Sequence, residues 1–146
     1  MMRRSIVRAL LASSVLVGGC SSDAANPVET FTVSGTYENQ EVNVQDLQRP
    51  KESAAAGVGC EGFRSSPIKE GGPITVIDGE GKTLAGGSFS GGRWVTGRQG
   101  CVFSWTIPNV PAGSKSYQVM AGQRAKAGPF TETEIRNPLS LTWKPA

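Results

Sequence analysis

The chain has 146 residues and no histidine. That absence removes the commonest general base, the usual serine and cysteine triads, and most zinc and iron sites. Aromatic residues and other large apolar side chains are few, against 19 glycines and 9 prolines. Such a composition argues against long helices and for short strands joined by many turns. No apolar run reaches the roughly 20 residues that a transmembrane helix needs. Net charge is also scarce where it would matter. The formal +3 comes from Arg3, Arg4 and Arg8, which precede Cys20, while every acidic residue follows it. Beyond Cys20, twelve basic side chains face twelve acidic ones. A global electrostatic pull on nucleic acid or an anionic surface is therefore not indicated.

What is present begins with the leader. Residues 1–8 are basic, residues 9–17 form a short apolar core, and Val17-Gly18-Gly19-Cys20 closes it with small residues. This is the plan of a secretory signal. The segment resembles the bacterial lipobox, and that resemblance implies diacylglyceryl transfer to the Cys20 thiol, followed by cleavage before it. Residues 1–19 are then a lipoprotein signal peptide, and residues 20–27 carry the lipidated cysteine and a short polar tether. Two or more acyl chains anchor a protein stably, at about 0.8 kcal/mol per buried CH₂. The Arg3-Arg4 pair lacks the flanking residues of a twin-arginine signal, so the general secretory route is expected. The expected location is the outer face of the cell membrane.

Lipidation of Cys20 leaves Cys60 and Cys101 as the remaining cysteines. Two thiols in an exported domain have a single intramolecular pairing. Neither has a histidine or a second cysteine at metal-ligand spacing, so a structural disulfide is expected and no metal site.

The folded domain is expected over residues 28–146. Val28 to Tyr37 alternates in part and reads as a first strand, and Glu41 to Leu47 as a second. Residues 51–72, rich in Ala, Gly, Ser and Pro, read as a long irregular connection. Ile74 to Ile77, then Asp78-Gly79-Glu80-Gly81, then Thr83-Leu84 is a hairpin signal, because such turn residues accept positive φ cheaply. "CVFSWTI" (residues 101–107) places Cys101, Phe103, Trp105 and Ile107 on one face with a period of two. Tyr117, Val119 and Ala121 share a face of the next strand. Thr131 and Glu134 have capping-box spacing and predict a helical turn over 131–136. Leu139, Leu141 and Trp143 alternate in a closing strand. The expected fold is all-β: a small antiparallel β-sandwich with one short helical turn and one disulfide.

The segment Gly100 to Arg124, "GCVFSWTIPNVPAGSKSYQVMAGQR", resembles one recurring in small secreted lipoproteins of actinobacteria and their phages. The preceding hairpin is similar to that of transthyretin-like modules, and an immunoglobulin-like sandwich is the related alternative. The resemblance implies architecture and setting, not a catalytic residue. Some phage lipoproteins of this kind exclude a second infecting phage, which offers one alternative role.

Chemistry-bearing motifs are thin. Gly57-Val58-Gly59-Cys60-Glu61-Gly62 matches the dinucleotide-loop spacing but lacks the strand before it and helix after it that such a loop needs. Asp78 and Glu80 lack the further oxygen ligands of a calcium loop. Glu132 and Glu134 read as surface charges on a capped turn, and Ser114-Lys115 as an ordinary turn. In "GGRWVTGRQG" (residues 91–100), Arg93, Trp94 and Arg98 form the candidate binding cluster, an aromatic flanked by two arginines on a loop. Trp105 and Trp143 read as core. The expected function is a non-enzymatic binding or interaction module, without cofactor, held at the envelope by its lipid. Its partners would be membrane lipid through Cys20 and an envelope protein, wall polymer or phage component through the domain. The alternatives are a structural envelope lipoprotein and, with least support, an envelope hydrolase.

Overall fold

The computed structural model describes residues 26–40, 58–61 and 66–144. Its elements in chain order are β1 (Thr30–Asn39), β2 (Gly59–Cys60), β3 (Pro73–Asp78), β4 (Thr83–Trp94), β5 (Cys101–Pro111), β6 (Tyr117–Ala121), β7 (Ala125–Phe130), a helical turn α1 (Glu132–Ile135) and β8 (Leu139–Trp143). The expected strand at Glu41–Leu47 lies outside the described residues, as do Cys20 and the leader.

The strands form one sheet in the order β7-β6-β3-β4-β5-β1-β8, with β2 added to β4. The fold is all-β, as the composition implies. Its strands form a single, nearly barrel-shaped sheet where a two-layer sandwich was expected. The reason lies in β4. Its first half pairs with β3, from Thr83 to Ser88, and its second half with β5, from Phe89 to Trp94. One long strand thus carries the sheet round a corner that a sandwich would cross with a loop. Nor is the sheet wholly antiparallel, because β8 runs parallel to β1 from Gly35↔Leu139 to Asn39↔Trp143. A parallel neighbour requires a crossover, and here the chain from β5 through β7 and α1 provides it.

The period of two in β5 points Cys101, Phe103, Trp105 and Ile107 inward, each at most 2% exposed. Val33 and Tyr37 of β1, Ile74 and Val76 of β3, and Tyr117 and Val119 of β6 meet them in the same core. Phe89 sits between Tyr37 and Phe103 in edge-to-face contacts with centroids 6.1 and 6.2 Å apart. Two isoleucines outside the strands, Ile68 and Ile135, fill the remaining ends. The first is fixed by Asn39, whose buried amide donates to the Ile68 carbonyl at 2.9 Å and to Ser66 Oγ at 2.7 Å.

Cys60 and Cys101 form the expected disulfide. Strands flanking a common neighbour in a flat sheet lie about 9.5 Å apart. Here β2 and β5 flank β4, yet the two cysteine Cα atoms are 5.9 Å apart. The curl of the sheet brings them together over Gly92. At the two ends of the strand path, β7 and β8 are joined in sequence by the segment carrying α1. Across that seam the Arg124 guanidinium lies 5.9 Å from the Trp143 ring centroid.

Candidate functional site

Most outward side chains of β1, β5 and β8 are polar. Register places Thr36 beside Ser104 and Ser140, and Glu38 beside Val102 and Thr142. In β4 the ladder skips. Phe89 opposes Trp105 and Gly92 opposes Phe103, so Ser90 and Gly91 together face Ser104 alone. This is a β-bulge, a device that bends a strand and leaves one residue out of the ladder. Next to it an open groove of about 680 Å³ is lined by Thr36, Gly59, Ser90, Gly91, Gly92, Arg93, Val95, Val102 and Ser104. Its floor is glycine backbone, its walls carry three hydroxyls and two valines, and one guanidinium stands in it.

The three residues singled out in the sequence part company here. Arg93 and Trp94 belong to the end of β4 and not to a loop. A strand turns successive side chains to opposite faces, so Arg93 is exposed on the groove while Trp94 is buried at 9% exposure. Among the described residues Arg93 makes no ion pair. Arg98 lies in the β4–β5 connection and is committed elsewhere. Its guanidinium donates to Glu38 Oε2 at 3.2 Å and to Ser140 Oγ at 2.9 Å.

Glu38 is the centre of that arrangement. It is 5% exposed, and its Oε1 accepts from the backbone amides of Gln99 and Gly100 at 2.9 and 3.0 Å and from the Gln40 side chain at 3.1 Å. Burial pushes its carboxyl up, but the hydrogen bonds from Gln40, Gln99 and Gly100 and the Arg98 charge outweigh it, so the net shift is downward. Its work is to clamp the turn that enters β5. Arg98 is 41% exposed, so solvent weakens the ion pair and the amide bonds carry most of the effect.

A carboxylate with a depressed folded value stabilises above its unfolded value, and that contribution is lost as the pH falls through the folded one. Glu132 and Glu134 are lowered as well. For Glu132 the largest cause is the Gly113 amide, and for Glu134 it is the Thr131 amide. All three make the fold acid-sensitive below about pH 4. Glu38→Gln should cost about 2 kcal/mol at pH 7, because it removes the charge that strengthens the Gln99 and Gly100 amide bonds and sets an amide donor against the Arg98 guanidinium. It should also flatten the acid limb of stability without abolishing it. Chemical denaturation across pH 2–7 checks both; an unchanged limb would remove Glu38 from the account.

The opposite pole gathers the motifs set aside in the sequence. Asp78 Oδ1 accepts from the Glu80 and Lys82 amides at 3.0 and 2.9 Å, which builds the hairpin turn. That turn and Ser114-Lys115-Ser116 border a shallow cleft of about 410 Å³. Glu132 Oε2 accepts from the Gly113 amide at 2.8 Å and from the Tyr117 hydroxyl at 3.1 Å, while Oε1 accepts twice from Arg136. Arg136 also pairs with Glu29 at 2.8 Å and stacks 4.2 Å from the Phe31 ring. Glu134 closes the expected capping box with Thr131. Each of these carboxylates is engaged in holding turns and α1.

Among the described residues no group of three His, Cys, Asp or Glu side chains is placed to hold a metal ion, and no helix is long and apolar enough to cross a membrane. Sequence reading found Arg93 but missed Thr36, Ser90 and Ser104. The signal for them was the pair of glycines following Ser90, which marks a bulge in a strand rather than a loop. No protein-family model, curated protein or solved structure matches the chain.

Proposed function

We propose that this protein is an exported, lipid-anchored binding module, without catalysis, whose groove at the Ser90–Gly91 bulge engages a component of the cell envelope. The observation that carries this reading is the groove itself. Its volume falls within the range of small-ligand sites, and its guanidinium has no ion-pair partner among the described residues. The leader pattern ending in Cys20 supports the anchor and the location. Kinship with transthyretin-like or immunoglobulin-like modules belongs to the same proposal and rests on the hairpin and the Gly100–Arg124 segment.

The test is crosslinking in living cells from a photoreactive residue at Val95, which lines the groove and is 42% exposed. The same probe at buried Trp94 is the control. An envelope component captured from Val95, absent from Trp94 and reduced at least tenfold by Arg93→Ala, is the expected result. Arg93→Ala itself should change stability by no more than about 0.5 kcal/mol, since the side chain is exposed. Cys20→Ser should move the protein from the membrane fraction to the soluble one and abolish the crosslink. No capture from Val95, or capture indifferent to Arg93, would refute the groove reading. A captured phage protein would instead favour the exclusion role.

A further inference from the structure

The chemistry of the lining narrows the ligand. We infer that the groove takes an acidic, hydroxyl-rich chain, a polyol or glycan polymer whose oxyanion rests on Arg93; this rests on the groove reading above. Three observations lead there. First, among the described residues no aspartate or glutamate lines the groove, while Arg93 does. A guanidinium presents paired donors that match a phosphate or carboxylate. Second, Thr36, Ser90 and Ser104 bring hydroxyls to one surface, with Thr36 and Ser104 directly paired across β1 and β5. A hydroxyl both donates and accepts, which suits a ligand made of hydroxyls. Third, among the described residues no aromatic side chain lines the groove. That removes the stacking platform that nucleobases use.

The groove is polarised as well. The Glu70 carboxylate lies 3.6 Å from where a Cβ on Gly91 would stand, so one acidic group borders the bulge. Arg93 sits two residues further along β4. An anionic ligand is therefore drawn to the Arg93 end and repelled from the bulge. The glycines keep the floor low. At Gly91 the Glu70 carboxylate already lies in van der Waals contact with the missing Cβ position, so the ligand lies toward Gly92 and Arg93 and not over the bulge. Phosphodiester and uronate polymers share the chemistry required, and they differ in which oxyanion reaches Arg93.

The experiment is a titration of the full chain, ¹⁵N-labelled and held in detergent micelles, with three probes. These are an oligo(glycerol phosphate), an oligogalacturonate and uncharged maltohexaose. Binding is expected from at least one anionic oligomer, with amide shifts confined to Ser90–Arg93 and Val102–Ser104. Maltohexaose should bind at least tenfold more weakly. Arg93→Ala should weaken the anionic oligomer at least tenfold, and Glu70→Gln should tighten it about twofold by removing the repulsion. Whichever anionic oligomer binds more tightly identifies the oxyanion. Equal binding of maltohexaose at the same amides would overturn the acidic ligand and leave the groove reading standing. Anionic binding in the groove that ignores both substitutions would do the same. No shift there with any of the three overturns this inference, and the Val95 crosslink then decides the groove reading separately.

Discussion

Serine at both Cys60 and Cys101 should lower the unfolding free energy by about 4 kcal/mol. The two residues are 41 apart in sequence, and closing a loop of that size removes roughly this much chain entropy from the unfolded state. For a domain of this length the midpoint of thermal unfolding should fall by on the order of 15 °C. Removing either cysteine alone should cost nearly as much, since one thiol closes no loop. The structure gives a local reason as well. Strand β2 is two residues long and, among the described residues, pairs with Gly92 and Arg93 alone, so without the disulfide little holds it over β4. Calorimetry on the oxidised protein and on the double variant settles the matter. A loss below about 1 kcal/mol would mean that the unfolded chain is already compact, and the loop-entropy account would fail.

The second large effect is expected from adding one methyl group. A Cβ at Gly92 would collide with Cys101 Sγ, with the Cys60 carbonyl oxygen at 2.5 Å and with the Phe103 ring at 2.7 Å. The carbonyl belongs to a paired strand, and Phe103 and Cys101 are wholly buried. None can move without disturbing the core, so Gly92→Ala should cost about 3 kcal/mol. Its neighbour is the control. A Cβ at Gly91 meets nothing closer than the Glu70 carboxylate, and Gly91→Ala should stay within about 0.5 kcal/mol. The two large effects should also interact. With Cys60 and Cys101 replaced by alanine the sulfur is gone, and Gly92→Ala should then cost about 1 kcal/mol less. Full additivity would show that the carbonyl and the ring, not the sulfur, set the penalty.

Much of this fold was legible because period-two alternation is a strong signal where apolar and polar residues differ sharply. Strand β5 is the clearest case, with Cys101, Phe103, Trp105 and Ile107 turned inward as the sequence requires. Tyr117 and Val119 in β6, the Asp78 turn and the Thr131–Glu134 capping box follow for equally local reasons. The failures share a cause too. Strand β4 runs to Trp94, and its last part, from Gly91, reads as loop because glycine carries no face. Yet Gly87 is needed where Thr106 O would meet a Cβ at 2.8 Å, and Gly92 where the disulfide passes. Strand β7, Ala125–Phe130, has a Gly-Pro pair and little alternation, and it is held by its neighbour β6 rather than by its own pattern. Sheet closure is a further step removed from local signals. Whether strands make two layers or one curled sheet depends on how β4 divides its pairing, and no window of sequence encodes that division.

The same uncertainty explains the candidate site. Arg93 and Trp94 are adjacent in sequence and attract attention as a pair. Once they lie on a strand, alternation separates them. The groove is assembled from β1, β2, β4 and β5, so its hydroxyls come from positions up to some 70 residues apart. Only the guanidinium was conspicuous beforehand.

Strand β1 carries one more consequence, a mechanical one. It enters the sheet at Thr30, is paired with β5 to Asn39 on one side, and is bound along Gly35–Asn39 to β8 on the other. A load applied between the segment preceding Thr30 and a partner seated at the groove would pull β1 along its own axis. Its hydrogen bonds would then be strained together in shear instead of opening one after another like a zipper. Salt bridges from Arg136 to Glu29 and from Arg98 to Glu38 pin β1 near both ends. A protein tethered at its N-terminal side and gripped at this groove would therefore bear tension along a strand that is paired on both sides.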